Sequence, residues 1–84
     1  MADAFSAQRV KLSKLLRAIR SERNLTQGQL AERTGLPQSV ISKVELGHRQ
    51  ADFVEVVGIC EAMGMSLRSF CRRWESTSEY WEDD

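Results

Sequence analysis

Apolar residues recur along this chain at the spacing of an α-helix. The first set occupies positions i, i+3, i+4 and i+7 and consists of Leu12, Leu15, Leu16 and Ile19. One apolar stripe of this width is typical of a helix that packs on a core. The spacing predicts a first helix from about Ser6 to Arg23. Asn24 follows, and asparagine tolerates the left-handed conformation in which many helices end.

Helix-start and helix-stop signals predict two short helices next. Thr26 and Gln29 form a Thr-x-x-Gln capping box, which predicts that a second helix begins at residue 27. Gly35 suits the positive φ that ends such a helix, and Pro37 suits the first turn of a third one. We therefore predict a second helix over 27–34 and a third over 37–46, whose inward face carries Ile41 and Val44.

Two more helices complete the prediction. Asp52 and Glu55 form a second capping arrangement that opens a fourth helix, Phe53 to Met63. We expect most of its apolar side chains to be buried, namely Phe53, Val56, Val57, Ile59, Cys60 and Met63. Ser66 caps a fifth helix, whose apolar stripe is Leu67, Phe70, Cys71 and Trp74. No strand-like alternation is visible, so the predicted fold is all-α with five helices.

Length and composition limit the classes of protein. Eighty-four residues provide one modest core, which excludes a multidomain enzyme. The charges cancel overall but are unevenly placed. Residues 9–49 contain nine basic and three acidic side chains, whereas residues 74–84 contain five acidic and no basic ones. This asymmetry favours a polyanionic partner for the basic part. We divide the chain into a domain, 1–74, and an acidic aromatic tail, 75–84.

Several kinds of chemistry have no signal in the sequence. No apolar run approaches the length of a membrane span, and the first twenty residues resemble no signal peptide, so we expect a cytoplasmic protein. Cys60, Cys71 and His48 lack metal-ligand spacing, and we interpret both cysteines as small buried apolar side chains. No nucleophile–base pair or phosphate loop is present. We predict neither an enzyme, nor a metal site, nor a cofactor.

The pattern around the second and third helices points to a helix-turn-helix. Only Gly35 and Leu36 separate the two helices, and small Ala31 allows a close approach. In this motif the second helix enters the DNA major groove. If Ile41 and Val44 face inward, the outward face holds Gln38, Ser39, Ser42 and Lys43. Glutamine can pair with adenine, lysine with guanine and serine with several base edges.

The stretch from Leu16 to Leu67 resembles the Cro/C1-type (XRE) family of phage and bacterial transcription regulators. The resemblance rests on many fixed spacings within LRAIRSERNLTQGQLAERTGLPQSVISKVELGHR. It implies a five-helix DNA-binding domain that usually works as a dimer on a palindromic operator. Gly28 departs from the family pattern, in which a polar helix former is common, and so does Ala51, which replaces a frequent proline.

The resemblance also implies a role for individual residues. Gln27, at the amino end of the second helix, and Arg49, just past Gly47, are expected to contact DNA phosphates. Arg20 is expected to pair with Glu45 and so to brace the first helix against the recognition helix. The residues expected to face bases are Gln38, Ser39, Val40, Ser42 and Lys43, with Val40 on a thymine methyl. From the charge of the first helix we add Arg17 as a further phosphate contact.

The aromatic residues near the tail suggest a dimer contact. Trp81 lies one heptad after Trp74, so a continued helix would bring both rings to one side. We expect the dimer interface to contain Leu67, Phe70, Trp74 and Trp81. The alternative is that the acidic tail competes electrostatically for the DNA-binding face.

Together these observations predict a DNA-binding transcriptional regulator, most simply a repressor that acts as a homodimer on double-stranded operator DNA. The alternative from another class is a protein-interaction module, such as an antitoxin whose tail grips a toxin.

Overall fold

Five α-helices form the fold in the computed structural model, which describes residues 4–77. In chain order they are α1 (Ser6–Glu22), α2 (Gln27–Thr34), α3 (Gln38–Glu45), α4 (Phe53–Ala62) and α5 (Leu67–Ser76). The part of the chain that is described contains no strand. The all-α prediction is therefore confirmed. Each predicted helix is present, and no predicted end is shifted by more than one residue.

Side-chain caps explain where α2 and α4 begin. The Thr26 hydroxyl accepts a hydrogen bond from the Gln29 amide at 3.0 Å, and the Gln29 side chain accepts one from the Thr26 amide at 2.8 Å. Asp52 and Glu55 make the same reciprocal pair at the start of α4. Each box satisfies two backbone donors that lack an acceptor within the helix. Both predicted capping boxes are confirmed.

Left-handed residues and one proline separate the first three helices. Asn24 has a φ of 58° after α1, and Gly35 has a φ of 77° after α2, as their residue types predicted. We expected Pro37 to lie in the first turn of α3, but it precedes the helix. Its ψ of 146° is extended, so α3 begins one residue later, at Gln38.

The core lies where the five helices meet. α2 packs against α3 and α4, α1 packs against α3, and α4 packs against α5. The core residues below 3% exposure are Leu15, Leu16, Ile19, Leu30, Ile41, Ile59, Cys60 and Met63. Together they include a residue of each of α1, α2, α3 and α4, and Phe70 adds α5 to the same cluster. Every helix is therefore fixed by its apolar stripe, as helices this short require.

Two side chains lie elsewhere than the periodicity predicted, and a third is buried without a signal in the sequence. Phe53, the first residue of α4, is 67% exposed, although it precedes the buried Val56 by three residues and so lies near the same face. Cys71 is exposed, whereas Cys60 is fully buried, and burial raises the pKa of the Cys60 thiol to about 11. Lys11 is only 6% exposed, and its Nζ lies 4.3 Å from the centre of the Trp74 ring.

The residues expected at a dimer interface on α5 differ in exposure, and that interface stays a prediction. Phe70 is 5% exposed and belongs to the core of the single chain, so its ring has no free surface for a second copy. Trp74 is half-buried, and the Lys11 ammonium lies over one face of its ring in a cation–π contact. Leu67 is half-buried. Trp81 lies outside the described residues.

A two-pronged ion pair ties α1 to the last residue of α3. Arg20 Nε donates to Glu45 Oε2 at 2.6 Å, and Arg20 Nη2 donates to Glu45 Oε1 at 2.9 Å. The remaining terminal nitrogen donates to the Leu25 carbonyl at 2.7 Å. The Arg20 and Glu45 side chains are 14% and 3% exposed. Because both charges are largely removed from water, each depends on the other for its solvation.

We expect Glu45→Ala to lower the free energy of unfolding by about 3–5 kcal/mol, because Arg20 keeps a largely buried charge without its partner. Replacing Arg20 and Glu45 together by Met and Leu should cost much less. The control is Glu22→Ala, which removes the partner of Arg73 in a surface pair and should cost about 1 kcal/mol or less. Urea melts measure all three. Equal losses for Glu45→Ala and Glu22→Ala would contradict a buried brace.

Candidate nucleic-acid interface

The amino ends of α2 and α3 lie side by side. A methyl group added at Gly28 would lie 3.5 Å from Gln38 Oε1 and 3.8 Å from the Thr26 hydroxyl. Both are ordinary contact distances, so the first turn of α2 is adjacent to the first side chain of α3. The first amides of a helix have no acceptor within it and carry partial positive charge. This edge therefore suits a phosphate group.

The outward face of α3 presents polar side chains at different depths. Gln38, Ser39 and Lys43 are exposed, while Ser42 is half-buried. On the opposite side Ile41 and Val44 are 1% and 4% exposed, as the periodicity predicted. Val40 is half-buried and packs against the core cluster, so only part of its side chain is accessible. The structure thus groups the five expected base contacts on one short helix, with three of them fully accessible.

Gln27 is oriented by the same carboxylate that holds Arg20. Its Nε2 donates to Glu45 Oε1 at 3.1 Å. An amide nitrogen carries two hydrogens, so the second donor of Gln27 remains for another acceptor. Glu45 accepts three side-chain hydrogen bonds in all, from two residues of the described domain. Sequence reasoning paired Glu45 with Arg20 alone and missed this third donor.

Arg49 is held in the loop between α3 and α4. Its two terminal nitrogens donate to the Glu55 carboxylate at 3.1 and 2.7 Å, and the side chain is 38% exposed. These hydrogen bonds lower the pKa of Glu55 and raise that of Arg49, so both stay charged at neutral pH. Glu55 also caps α4. The sequence showed Glu55 as a cap but gave no signal for this second role.

The remaining predicted phosphate contact lies on a different helix. Arg17 is exposed on α1, whereas the Gln27 side chain contacts the last residue of α3 and Arg49 lies in the loop after that helix. Two further arginines are used inside the domain: Arg23 and Arg33 donate to carbonyls of residues 62–64 at the end of α4. Arg23 and Arg33 therefore also tie α1 and α2 to the end of α4, although both side chains stay exposed.

Other kinds of site have no counterpart in residues 4–77. Within that range no group of three or more His, Cys, Asp or Glu side chains is arranged to hold a metal ion. No helix there is long and apolar enough to cross a bilayer.

Comparison with known proteins gives a consistent picture. The model of the helix-turn-helix family matches residues 16–70, which include all of α2, α3 and α4. A search of curated proteins finds no match.

Several solved structures resemble this chain in three dimensions. The restriction-modification controller protein C.AhdI from Aeromonas hydrophila is 32% identical over 75% of this chain and 96% of its own, with a TM-score of 0.70. An XRE-family like protein from Pseudomonas syringae pv. tomato is 34% identical over 83% and 85%, with a TM-score of 0.76. The controller protein C.Esp1396I, solved as a tetramer with its natural 35 base-pair operator, is 25% identical over 87% and 93%, with a TM-score of 0.75.

The family match spans more than half of the chain, and two solved structures are more than 30% identical to it over at least three quarters of its length. This protein belongs to the Cro/C1-type (XRE) helix-turn-helix family of transcription regulators.

Proposed function

We propose that this protein is a sequence-specific DNA-binding transcriptional repressor, which binds a palindromic operator as a homodimer in the cytoplasm. The observation that carries the proposal is the exposed polar face of α3, held on a scaffold in which its opposite face is buried. The operator complex of C.Esp1396I supports the same activity for a relative of similar fold.

Base readout is assigned to α3. Gln38 can pair bidentately with adenine, and Lys43 can donate to guanine O6 and N7. Ser39 and Ser42 supply shorter donors and acceptors, and the accessible part of Val40 supplies an apolar contact for a thymine methyl. These side chains differ in length, so they reach base edges at different depths of the major groove.

Phosphate contacts are assigned to the flanks of α3. The first turn of α2 offers backbone amides and the second amide hydrogen of Gln27, whose position is set by Glu45. Arg49 lies in the loop that follows the carboxyl end of α3, and Arg17 lies on α1. Phosphate contacts position a protein on the duplex without reading the sequence. Contacts from these three elements around α3 would therefore fix its register in the groove.

The size of the reading surface supports a dimer. One good bidentate contact supplies about 1–3 kcal/mol of discrimination, and α3 offers only a few such side chains. Two copies on half-sites about 34 Å apart double the number of contacts and make the operator palindromic. Repression requires only that the bound protein cover DNA that RNA polymerase would use, whereas activation requires an additional surface.

Selection of bound sequences from a random DNA pool tests the function directly. We expect a palindrome whose half-sites lie one helical turn apart. Recovery of unrelated sequences, or of no DNA at all, would contradict sequence-specific recognition.

We expect Lys43→Ala to weaken binding to the selected operator by about 1–3 kcal/mol and to relax the preference at particular base pairs. Arg68→Ala removes an exposed cation on α5 and serves as the control, with little effect on base preference. Fluorescence anisotropy on the operator and on single-base variants measures both. Unchanged affinity and preference in Lys43→Ala would show that α3 reads the DNA through other residues.

Gln27→Ala should weaken binding by a similar factor on the operator and on unrelated DNA, because a phosphate contact carries no sequence information. Gln29→Ala, in the same helix and with its side chain turned to the Thr26 cap, is the control for helix stability. A loss confined to the operator would mean that Gln27 reads a base instead.

The pair of Arg49 with Glu55 generates a salt-dependent prediction. Glu55→Gln keeps a residue able to close the capping box but removes the charge that competes with phosphate for Arg49. We expect tighter DNA binding, most clearly at low salt. The control is Glu22→Gln, which breaks the ion pair between Glu22 on α1 and Arg73 on α5. It should change the DNA affinity less. Titrations of the DNA affinity between about 0.05 and 0.2 M salt measure both variants. Equal changes in affinity would exclude a specific role for Arg49.

A further inference from the structure

A small cavity lies between the first turns of α1 and the end of α5. It measures about 140 Å³, several times the volume of one water molecule, and it is lined by Ala7, Gln8, Lys11 and Trp74. The three α1 residues occupy positions i, i+1 and i+4, which lie on one face of a helix. We call this space the α1–α5 cavity. No residue assigned above to DNA lines it.

Lys11 is a buried cation whose charge has no anionic partner among the described residues. It is only 6% exposed, and the Trp74 ring, with its centre 4.3 Å from Nζ, is the group that faces its ammonium. The ion pairs within residues 4–77 join arginines to Glu22, Glu45 and Glu55, and none of them uses Lys11. Because a buried charge is costly unless it is paired, this position favours a bound anion.

Solvent reaches the Lys11 ammonium through the cavity. Every fully buried side-chain nitrogen and oxygen of the described residues has a hydrogen-bond partner. Since Nζ of Lys11 has none within residues 4–77, it is not fully buried, and the α1–α5 cavity is the space that Lys11 borders. The indole N–H of Trp74 likewise donates to no acceptor in that range. Both residues therefore keep a donor that the described domain does not use.

The surroundings of the cavity also favour negative charge in a ligand. None of the four lining residues is acidic, and the first turn of α1 contains no acidic side chain. The first amides of a helix carry partial positive charge, and the N-cap residue, Phe5, has no side-chain oxygen to accept from them. Gln8 adds a side-chain amide donor in the same turn. The ammonium, the helix end and this amide therefore all favour an anion.

We propose that the α1–α5 cavity binds a single carboxylate group, whose oxygens accept hydrogen bonds from the Lys11 ammonium and the Gln8 amide. One lysine balances the one charge of a carboxylate. A phosphate carries more charge and is matched best by a bidentate arginine, and no arginine lines the cavity. Ala7 and the Trp74 ring form an apolar wall for the carbon atoms next to the carboxylate. This site is independent of the proposed DNA binding.

Two sources supply a carboxylate on a short apolar stem. One is a free organic acid of a few carbon atoms. The other is the chain itself, because four acidic residues follow Trp74 within ten positions, a length that spans up to about 35 Å when extended. They are Glu79, Glu82, Asp83 and Asp84. Both sources present the same group to Lys11, and they differ in whether the tail competes with an added acid.

Sodium propionate is the probe for the site. In an NMR titration we expect saturable shifts of the Trp74 indole N–H and of the Ala7 and Gln8 amides, with sodium chloride at equal ionic strength as the reference. Lys11→Met keeps an unbranched side chain beside Trp74 but removes the charge, so it should raise the dissociation constant at least tenfold. Arg72→Met removes an exposed cation of α5 and should leave it unchanged. Absence of saturable shifts, or equal effects of the two variants, would overturn the proposal.

Gln8→Glu separates ligand binding from stability. Its carboxylate lies in the first turn of α1, where negative charge stabilises a helix, so the melting temperature should stay equal or rise. It also lies three residues before Lys11, within reach of the ammonium, and takes the place of the ligand. The affinity for propionate should therefore fall at least tenfold. Propionate binding as tight as in the wild type would contradict the proposed site.

Neutralising the tail of the full-length chain identifies the source of the carboxylate. The variant combines Glu79→Gln, Glu82→Gln, Asp83→Asn and Asp84→Asn. If tail carboxylates occupy the cavity, it should bind propionate at least tenfold more tightly than the wild type, and if a free acid is the ligand, the two proteins should bind it equally. Adding Lys11→Met should weaken binding in either case. Unchanged affinity after that addition would overturn the site itself.

Discussion

The carboxylate of Glu45 is the contact on which the arrangement of this domain depends. It is almost completely buried, and it accepts hydrogen bonds from Arg20 of α1 and from Gln27 at the first position of α2. It also belongs to the last residue of α3. One side chain therefore fixes the relative positions of three helices, and two of these are the helices of the helix-turn-helix. A buried charge is costly unless it is fully paired, so the arrangement tolerates little displacement.

This geometry connects stability with recognition. The groups that hold Glu45 in the interior include the Gln27 amide, which we assign to a DNA phosphate. A movement of α1 relative to α3 would disturb the ion pair and the position of that amide together. Burial of Ile41 and Val44 on the inner side of α3 also fixes the orientation of its exposed polar face, because a helix held on one side has a defined orientation on the other.

The sequence predicted the helices well because their signals are local. Capping boxes, glycines after helices and stripes of apolar residues all act within a few residues, and Thr26 with Gln29 is a clear example. Non-local contacts were predicted less well. The burial of Lys11 had no local signal in the sequence, because its contact is with the Trp74 ring, which is remote along the chain. Phe53 and Phe70 follow helical periodicity equally, yet one is exposed and one is buried, since periodicity does not reveal where the packed region ends. The ion pair between Arg49 and Glu55 was not predicted either, because it depends on the conformation of the loop between α3 and α4.

The exposed side chains of α3 take no part in holding the domain together. Gln38, Ser39 and Lys43 face outward, whereas the contacts that fix α3 come from Ile41, Val44 and Glu45. Changes at the three outward positions thus alter the chemistry of the surface that we assign to DNA, at little cost in folding free energy. Specificity in such a domain can diverge through single substitutions while the scaffold stays constant, and an engineered protein with a new target could retain every buried residue described above.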